Sequence, residues 1–281
     1  MKKIAVIGAG TMGNGIAHVF AQKGFEVNII DTQEAALSKA IATIDKNLDR
    51  QINKGFITAE DKTNTLQRIS TFTSIETGIV NVDLAVEAAT ENSEIKKSIF
   101  RIMDEKANPH CILATNTSSI PIAQLAAVTS RPGKVIGMHF MNPVPVMKLV
   151  EIINGADTSE ATTKTIVELT NAIDKIPCVV KDAPGFIANR ILMPMINEAI
   201  HAFSEGISDA ATIDQIMKLG MAHPMGPLQL ADYIGLDVCK NILDIMHDGF
   251  NNEKYAPCPL LIEMVNKGKL GVKTGEGFYK Y

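Results

Sequence analysis

The feature that most constrains the fold is a glycine-rich turn near the start of the chain, between a short apolar segment and a helix-forming segment. Residues 1–20 read MKKIAVIGAGTMGNGIAHVF. Gly8 permits a tight turn, Gly10 lets the backbone approach a pyrophosphate, and Gly13 lets the helix pack closely on the strand. This spacing, with a strand before it and a helix after it, predicts a dinucleotide-binding unit.

An acidic residue follows at the end of the next predicted strand. The segment FEVNII leads into Asp31, 18 residues beyond Gly13. A carboxylate there can accept hydrogen bonds from both ribose hydroxyls and would repel a 2′-phosphate, so NAD is favoured and NADP is possible but disfavoured. Thr11 and Met12 begin the helix whose N–H groups would face the phosphates. The alternative is a glycine turn with an N-capping aspartate and no nucleotide.

Short apolar runs alternate with helical periodicity as far as residue 182. The predicted strands are residues 3–7, 26–30, 84–87, 111–115, 135–140, 148–153 and 178–180. Helical periodicity separates most of them, for example at residues 11–23, 33–54, 93–105 and 160–174. This alternation is typical of a parallel sheet with helices on both faces. The predicted fold class is therefore α/β, doubly wound and of the Rossmann type.

The pattern changes at residues 181–185, KDAPG, and only helical periodicity follows over residues 184–269. We therefore predict an NAD-binding domain over residues 1–182 and an all-helical domain over residues 183–281. The helical domain is expected to form a homodimer, because helix 186–203 is apolar on more than one face. It is also expected to close the substrate cleft. The alternative is a helix buried centrally within its own domain.

Charge and cysteine content disfavour several classes of partner and site. The chain has 27 Lys+Arg and 31 Asp+Glu, a net charge of −4, which argues against nucleic acid or an anionic membrane as the main partner. No stretch approaches the roughly 18 apolar residues of a membrane span. The four cysteines are widely spaced and the histidines lack ligand spacing, so we expect reduced thiols, no metal site and a cytoplasmic location.

A histidine and a glutamate occupy the two arms of a predicted hairpin, GKVIGMHFMNPVPVMKLVEIING. If the hairpin turns about Pro145, His139 and Glu151 face each other with their side chains on one face. A carboxylate beside an imidazole fixes its tautomer and stabilises the imidazolium, as a general base for an alcohol proton requires. The alternative is a core histidine whose hydrogen bonds are satisfied structurally.

Three further polar features are candidates for binding. Residues 116–119, NTSS, follow a predicted strand at the sheet edge where α/β proteins bind ligands, or they are only an N-cap run. Asn189 begins the long helix and could face the cleft, or it makes a simple interdomain hydrogen bond. Lys46, Arg50 and Lys54 are spaced i, i+4, i+8 and suit a phosphorylated ligand, or they are a solvated helix face.

Six sequence blocks, taken together, resemble one family along the whole chain. They are GAGTMGNGIAHVFAQKG, ATNTSSIPI, GMHFMNPVPVMKLVEII, DAPGFIANRILMPMINEAI, HPMGPLQLADYIGLD and KTGEGFYKY. The chain is similar to the L-3-hydroxyacyl-CoA dehydrogenases, in particular to the short bacterial 3-hydroxybutyryl-CoA dehydrogenases. The resemblance implies reversible oxidation of a (3S)-3-hydroxyacyl-CoA, such as 3-hydroxybutyryl-CoA, to the 3-oxoacyl-CoA in butanoate or fatty-acid metabolism.

The resemblance also implies site residues, matched block by block. The implied catalytic residues are His139, Glu151, Ser118 and Asn189. Beyond the glycine turn and Asp31, the implied NAD contacts are Glu91, Lys96, Asn116, Ser118, Asn142 and Lys273. The acyl-CoA contacts are Asn47, Arg50, Lys54 and Ser118. This chain has Asn47 where the family has a serine, so that contact differs in detail.

Two rival functions are less consistent with the sequence. Dehydrogenases of the 3-hydroxyisobutyrate or 6-phosphogluconate type place a catalytic lysine on the long helix after the sheet, and PGFIANRILMPMINEAI has none. A non-catalytic dinucleotide-binding or crystallin-like protein would be expected to have lost the cleft residues, and none of them is lost.

Overall fold

A single sheet of eight strands lies in the first of two units, Met1–Asp182 and Ala183–Tyr281. The computed structural model describes residues 1–281. The strands are β1 (Lys3–Ile7), β2 (Glu26–Ile30), β3 (Ile69–Phe72), β4 (Leu84–Glu87), β5 (Ile112–Thr115), β6 (Val135–Phe140), β7 (Leu149–Asn154) and β8 (Ile176–Lys181). Their order is β3-β2-β1-β4-β5-β6-β7-β8, and only the β6–β7 pair is antiparallel.

Twelve α-helices are divided between the two units. The first unit contains α1 (Thr11–Gln22), α2 (Glu34–Asn53), α3 (Ala59–Gln67), α4 (Ile75–Gly78), α5 (Ser93–Lys106), α6 (Ile122–Ala126) and α7 (Glu160–Ala172). The second contains α8 (Ala188–Ser204), α9 (Ala210–Gly220), α10 (Pro227–Ile234), α11 (Leu236–Phe250) and α12 (Pro259–Asn266). The predicted fold class, a doubly wound α/β unit followed by a helical one, is confirmed.

The strand order reverses between β1 and β4, and this reversal creates the binding crevice. From β1 the chain continues to β2 and β3 on one side of the sheet, whereas β4, β5 and β6 extend on the other. The loops after β1 and β4 therefore leave the sheet in opposite directions. Open α/β sheets bind ligands at such a switch point, outside the carboxyl ends of the strands.

The central strands are apolar on both faces because helices cover both faces. Ile4, Val6 and Val86 have no exposed surface. The helical period of α2 buries Leu37, Ile44 and Leu48, while Lys46 and Asp49 are exposed. Each large apolar side chain buried in this way stabilises the fold by about 1.5–3 kcal/mol.

Strand β3 and helix α3 are among the elements of the first unit that the sequence analysis did not predict. Strand β3 pairs only with β2, and its sequence ISTF has two exposed residues of four, so it lacks the apolar run of a central strand. Helix α3 has one buried residue and depends on a capping box, in which Thr58 accepts a hydrogen bond from the Asp61 N–H. The edge strand β8, predicted at residues 178–180, is twice as long as expected at Ile176–Lys181.

The second unit packs its helices around α8, and two buried aspartates fasten its C-terminal tail. Asp214 accepts hydrogen bonds from the backbone of α10 and, at 2.7 Å, from the Tyr279 hydroxyl. Asp232 accepts from the N–H groups of Phe278 and Tyr279, each at 2.9 Å. No helix of either unit is long and apolar enough to cross a membrane.

One polar side chain in the core of the first unit has a nitrogen atom without a hydrogen-bond partner. His18, on α1, has no exposed surface, and its Nδ1 atom has no hydrogen-bond partner. Burial, together with the charge of Lys175, lowers the pKa of His18 from 6.5 to about 4. The imidazole is therefore neutral in the folded protein at neutral pH.

This lowered pKa predicts a loss of stability in weak acid. The unfolded chain takes up a proton on His18 below pH 6.5, whereas the folded protein does so only near pH 4. The free energy of unfolding should therefore fall by roughly 3 kcal/mol from this residue between those pH values. Urea unfolding at several pH values should show a shallower pH dependence in His18→Gln. The exposed control His110→Gln should behave like wild type, and an unchanged slope in His18→Gln would contradict the assignment.

Candidate active site

The turn between β1 and α1 is built for close approach to a ligand. Gly8 has φ = +105°, a conformation that favours glycine. A Cβ atom on Gly13 would lie 1.7 Å from the Gly8 carbonyl oxygen, so only glycine fits against the strand there. A Cβ on Gly10 would meet no protein atom within 4 Å, which leaves its backbone open to a phosphate.

A cavity of about 420 Å³ lies beside this turn, at the carboxyl ends of β1, β2 and β4. Asp31 lines it, with Oδ2 accepting from the Ala9 N–H at 2.8 Å and Oδ1 from the Gln33 N–H at 3.0 Å. Two backbone donors thus hold the Asp31 carboxylate at the cavity wall. Together with the open backbone at Gly10, this arrangement fits the adenosine and pyrophosphate part of NAD.

Thr11 and Met12 offer different groups to such a ligand. Thr11 is exposed as the first residue of α1 and lines a neighbouring cavity of about 390 Å³. The Met12 side chain instead packs against the hydrophobic core. Met12 can therefore contribute its backbone N–H at the helix N-terminus, but its side chain is directed to the core.

The hairpin of β6 and β7 pairs His139 directly with Glu151. The predicted register is confirmed. His139 Nδ1 lies 3.1 Å from Glu151 Oε2, and both side chains are buried, at 6% and 2% exposure. An ionised carboxylate only accepts hydrogen bonds, so Nδ1 carries the proton and Nε2 is left as an acceptor. On the Nε2 side, the Ser118 hydroxyl oxygen lies 3.1 Å away.

The loop carrying Ser118 follows β5 and is held by one carboxylate. Glu91 Oε1 accepts hydrogen bonds from the N–H groups of Ser118 and Ser119, at 3.0 and 3.1 Å. It also accepts from the hydroxyls of Thr117 and Ser119. Burial raises the pKa of Glu91, but the Lys96 charge and these hydrogen bonds outweigh it, so the pKa lies below its usual range.

Lys96 forms a buried ion pair instead of lining the cavity. Its ammonium lies 2.7 and 2.9 Å from the two carboxylate oxygens of Glu87 and 3.3 Å from Glu91 Oε2. Lys96 is only 1% exposed, and Glu87 has no exposed surface. The ammonium is thus paired with two carboxylates and shielded from solvent. The contact with the cofactor that the resemblance implies stays a prediction.

The other implied cofactor and substrate residues lie in different places. Asn116 is buried, and its Oδ1 accepts from the Phe140 N–H at 2.9 Å, which ties the end of β5 to β6. Asn142 is exposed and lines the 390 Å³ cavity with Thr11. In the second unit, Lys273 pairs with Asp237, and Asn189 is buried in the first turn of α8.

Arg50 of α2 and Lys54, the C-cap residue of α2, line a third cavity, of about 510 Å³. Its lining includes Asn47, Arg50, Lys54 and Phe56, but not the exposed Lys46. Asn47, Arg50 and Lys54 thus share a cavity that Lys46 does not line, and ligand binding by any of these side chains stays a prediction.

The acidic residues of α2 are occupied elsewhere. Asp45 and Asp49 pair with Lys62 of α3, at 2.8 and 2.6 Å, and not with the cations of their own helix. Arg50 donates to Asn47 Oδ1 at 3.2 Å. The cations at the 510 Å³ cavity are thus suited to an anionic ligand.

The sequence analysis missed two buried charged residues of the first unit that lie near the site, Lys175 and Glu87. Lys175 donates to the carbonyls of Val144 and Met147, at 2.5 and 2.6 Å, and so fixes the loop that borders the 390 and 510 Å³ cavities. No sequence signal marks this contact across 28 residues or more. Glu87 did carry a signal, because a carboxylate closes the otherwise apolar strand LAVE.

Comparison with known proteins agrees with this geometry. A family model described as 3-hydroxyacyl-CoA dehydrogenase, NAD binding domain, matches residues 3–183, and one described as 3-hydroxyacyl-CoA dehydrogenase, C-terminal domain, matches residues 185–281. The chain belongs to the 3-hydroxyacyl-CoA dehydrogenase family. The family resemblance in the sequence blocks is confirmed, and the eight-stranded unit is the NAD-binding domain of this family.

Bacterial members of the 3-hydroxyacyl-CoA dehydrogenase family match over their full length. The chain is 48% identical to the probable 3-hydroxybutyryl-CoA dehydrogenase of Bacillus subtilis, covering 100% of this chain and 98% of that protein. It is 49% identical to the 3-hydroxybutyryl-CoA dehydrogenase of Bradyrhizobium diazoefficiens, covering 100% and 96%. The crystal structure of (S)-3-hydroxybutyryl-CoA dehydrogenase from Ralstonia eutropha is similar with a TM-score of 0.97 and 47% identity, covering 100% and 99%.

Proposed function

We propose that the protein catalyses the reversible NAD-dependent oxidation of (3S)-3-hydroxybutyryl-CoA to acetoacetyl-CoA, within butanoate or fatty-acid metabolism. The observation that carries this proposal is the buried imidazole of His139, with Glu151 on one nitrogen and the Ser118 hydroxyl on the other. The full-length relatives named for this reaction support the same choice of substrate.

His139 acts as the general base and acid. In oxidation, its Nε2 takes the proton of the substrate 3-hydroxyl, and in reduction it returns the proton to the 3-oxo oxygen. Glu151 holds Nδ1–H and stabilises the imidazolium that forms, because the pair is almost fully shielded from water. The glycine turn at Gly10 and the carboxylate of Asp31 would hold NAD, which would supply the hydride acceptor for C3 of the substrate.

Ser118 and Asn189 position the substrate oxygens. The Ser118 hydroxyl lies 3.1 Å from His139 Nε2, so an alcohol that hydrogen-bonds to Ser118 is held close to the base. Asn189 provides an amide donor for the second oxygen, a role that the family resemblance implies. Neither side chain forms or breaks a covalent bond in the proposed reaction, and both contribute by orientation.

Replacement of His139 tests the proposed chemistry. His139→Gln should lower kcat for acetoacetyl-CoA reduction by about 10²–10⁴-fold, the usual contribution of a general acid–base group. The NADH dissociation constant, measured by fluorescence titration, should stay nearly unchanged. Glu151→Gln should lose less activity and shift the pH–rate profile, because the imidazole remains. Full turnover by His139→Gln at pH 7 would remove His139 from the mechanism.

Asp31 sets the proposed preference for NADH over NADPH. Its carboxylate is fixed by two backbone N–H groups in the adenosine cavity and would repel a 2′-phosphate. Asp31→Ser should therefore weaken NADH use and improve the ratio of kcat/KM for NADPH to that for NADH. A wild-type protein with higher kcat/KM for NADPH would contradict this assignment.

The 510 Å³ cavity is the proposed site for the nucleotide end of coenzyme A. Lys54→Ala should raise KM for acetoacetyl-CoA roughly tenfold or a little more, because a charge-assisted contact contributes about 1.5–3 kcal/mol at most and Lys54 is exposed to solvent. The kcat and the KM for NADH should hardly change, since the contact is equally strong in substrate and transition state. The effect should also decrease at high salt.

Lys46→Ala is the matched control on the same helix, because Lys46 is exposed and does not line the cavity. It should leave the KM for acetoacetyl-CoA near the wild-type value. Acetoacetyl-pantetheine, which lacks the nucleotide, should be used equally well by wild type and Lys54→Ala. Equal impairment of both thioesters in Lys54→Ala would show that Lys54 acts structurally.

We also propose a homodimer formed through the helical unit. Helix α8 buries one apolar face, yet Ile187 at its N-cap and Ile191 in its first turn are 49% and 67% exposed. Leu219 at the end of α9 is 77% exposed. Exposed large apolar residues on neighbouring helices favour a second copy of the chain as the covering surface.

Light scattering tests the oligomeric state. The wild-type protein should have twice the mass of one chain at micromolar concentration, and Ile191→Lys should shift the equilibrium toward the single chain. A wild-type mass of one chain would contradict the dimer.

We further propose that the protein is located in the cytoplasm, which is a reducing compartment. All four cysteines are unpaired thiols. Three are buried, and Cys178 is exposed on the edge strand β8. An exposed, unpaired thiol is typical of proteins kept in a reducing compartment.

A further inference from the structure

We propose that Glu91 is a positioning residue, which fixes the Ser118 hydroxyl against His139 through the loop after β5. The family resemblance treats Glu91 as a cofactor contact, and the contacts in this structure give it a second task. The inference rests on the proposed function, because positioning Ser118 matters only if Ser118 and His139 act on the substrate.

One carboxylate oxygen of Glu91 accepts hydrogen bonds from three consecutive residues of the loop, 117–119. Glu91 Oε1 accepts from the N–H groups of Ser118 and Ser119 and from the Thr117 and Ser119 hydroxyls. The Thr117 hydroxyl oxygen in turn accepts from the N–H of Ile120 at 2.9 Å. The loop backbone on both sides of the Ser118 side chain is therefore bound to a single atom of Glu91.

The carboxylate is itself anchored to the sheet through two buried groups. Glu91 Oε2 lies 3.3 Å from the Lys96 ammonium, which Glu87 holds with both oxygens. Glu87 Oε2 also accepts from the Thr115 hydroxyl at 2.7 Å, at the end of β5. The loop is thus connected to the last residues of β4 and β5. The lowered pKa of Glu91 keeps it ionised and accepting at neutral pH.

This anchoring has a direct consequence at the reacting atoms. The Ser118 N–H is bound to Glu91, while its Oγ lies 3.1 Å from His139 Nε2. Displacement of an orienting group by about 1 Å can cost on the order of a hundredfold in rate. Loosening the loop should therefore reduce kcat without removing any group that touches the substrate.

A double-mutant cycle between Glu91→Gln and Ser118→Ala tests the inference. Glu91→Gln keeps the shape of the side chain but loses the charge and one acceptor oxygen. Alone, it should lower kcat about ten- to hundredfold, with the NADH dissociation constant within about twofold of wild type. In the Ser118→Ala background, Glu91→Gln should lower kcat less than about twofold further, because the group it positions is gone.

Two additional variants serve as a control and as an independent test of the Glu91 contact. Glu94→Gln, three residues along and exposed as a partner of Lys97, should match wild type in every measurement. Thr117→Val removes one donor from Glu91 Oε1 and should reproduce the pattern of Glu91→Gln more weakly. It carries the same double-mutant cycle if Glu91→Gln fails to unfold cooperatively.

The inference would be overturned if the effects of Glu91→Gln and Ser118→Ala on kcat multiply in the double variant and the NADH dissociation constant is raised. That result would indicate a direct cofactor contact. A Ser118→Ala variant with wild-type kcat would overturn it as well, since nothing would need positioning. Either failure is distinguishable from failure of the proposed function, because the wild-type protein would still reduce acetoacetyl-CoA. A wild-type protein without that activity would end both proposals.

Discussion

The site depends on the antiparallel pairing of β6 with β7 in one register. That pairing sets His139 opposite Glu151, and the imidazole then reaches the Ser118 hydroxyl from the next strand. Side chains alternate between faces along a strand, so a slip of one residue would place them on opposite faces. Buried Val150 and Ile152 flank Glu151 and hold the register, because they must face the opposite side of the sheet, toward the core.

The remaining polar groups converge because parallel strands end at a common edge. Glu87 closes β4, Thr115 closes β5, and Asn116 ties β5 to β6. Lys96 lies between the carboxylates of Glu87 and Glu91, and its positive charge compensates for their negative charges. The same edge carries the glycine turn of β1 and Asp31 of the β2 end. Cofactor cavity and acid–base pair thus share one framework.

Sequence patterns predicted the features that depend on neighbouring residues in the chain, but not the contacts between distant elements. The glycine turn and the β6–β7 register could be predicted because both are encoded within about twenty-five consecutive residues. The burial of Lys96 could not, since a lysine on an amphipathic helix gives no sign of a carboxylate on another element. The absence of Lys46 from the cavity that Arg50 lines could not be predicted either, because helical period alone does not say which face borders a cavity.

The most direct test of the account is a steady-state assay of wild-type protein, following NADH absorbance at 340 nm upon addition of acetoacetyl-CoA. The account predicts saturable oxidation of NADH that requires the thioester, and chiral analysis of the product should find (3S)-3-hydroxybutyryl-CoA as the only stereoisomer. Protein that binds NADH but does not oxidise it with acetoacetyl-CoA, or that forms the 3R product, would contradict the account.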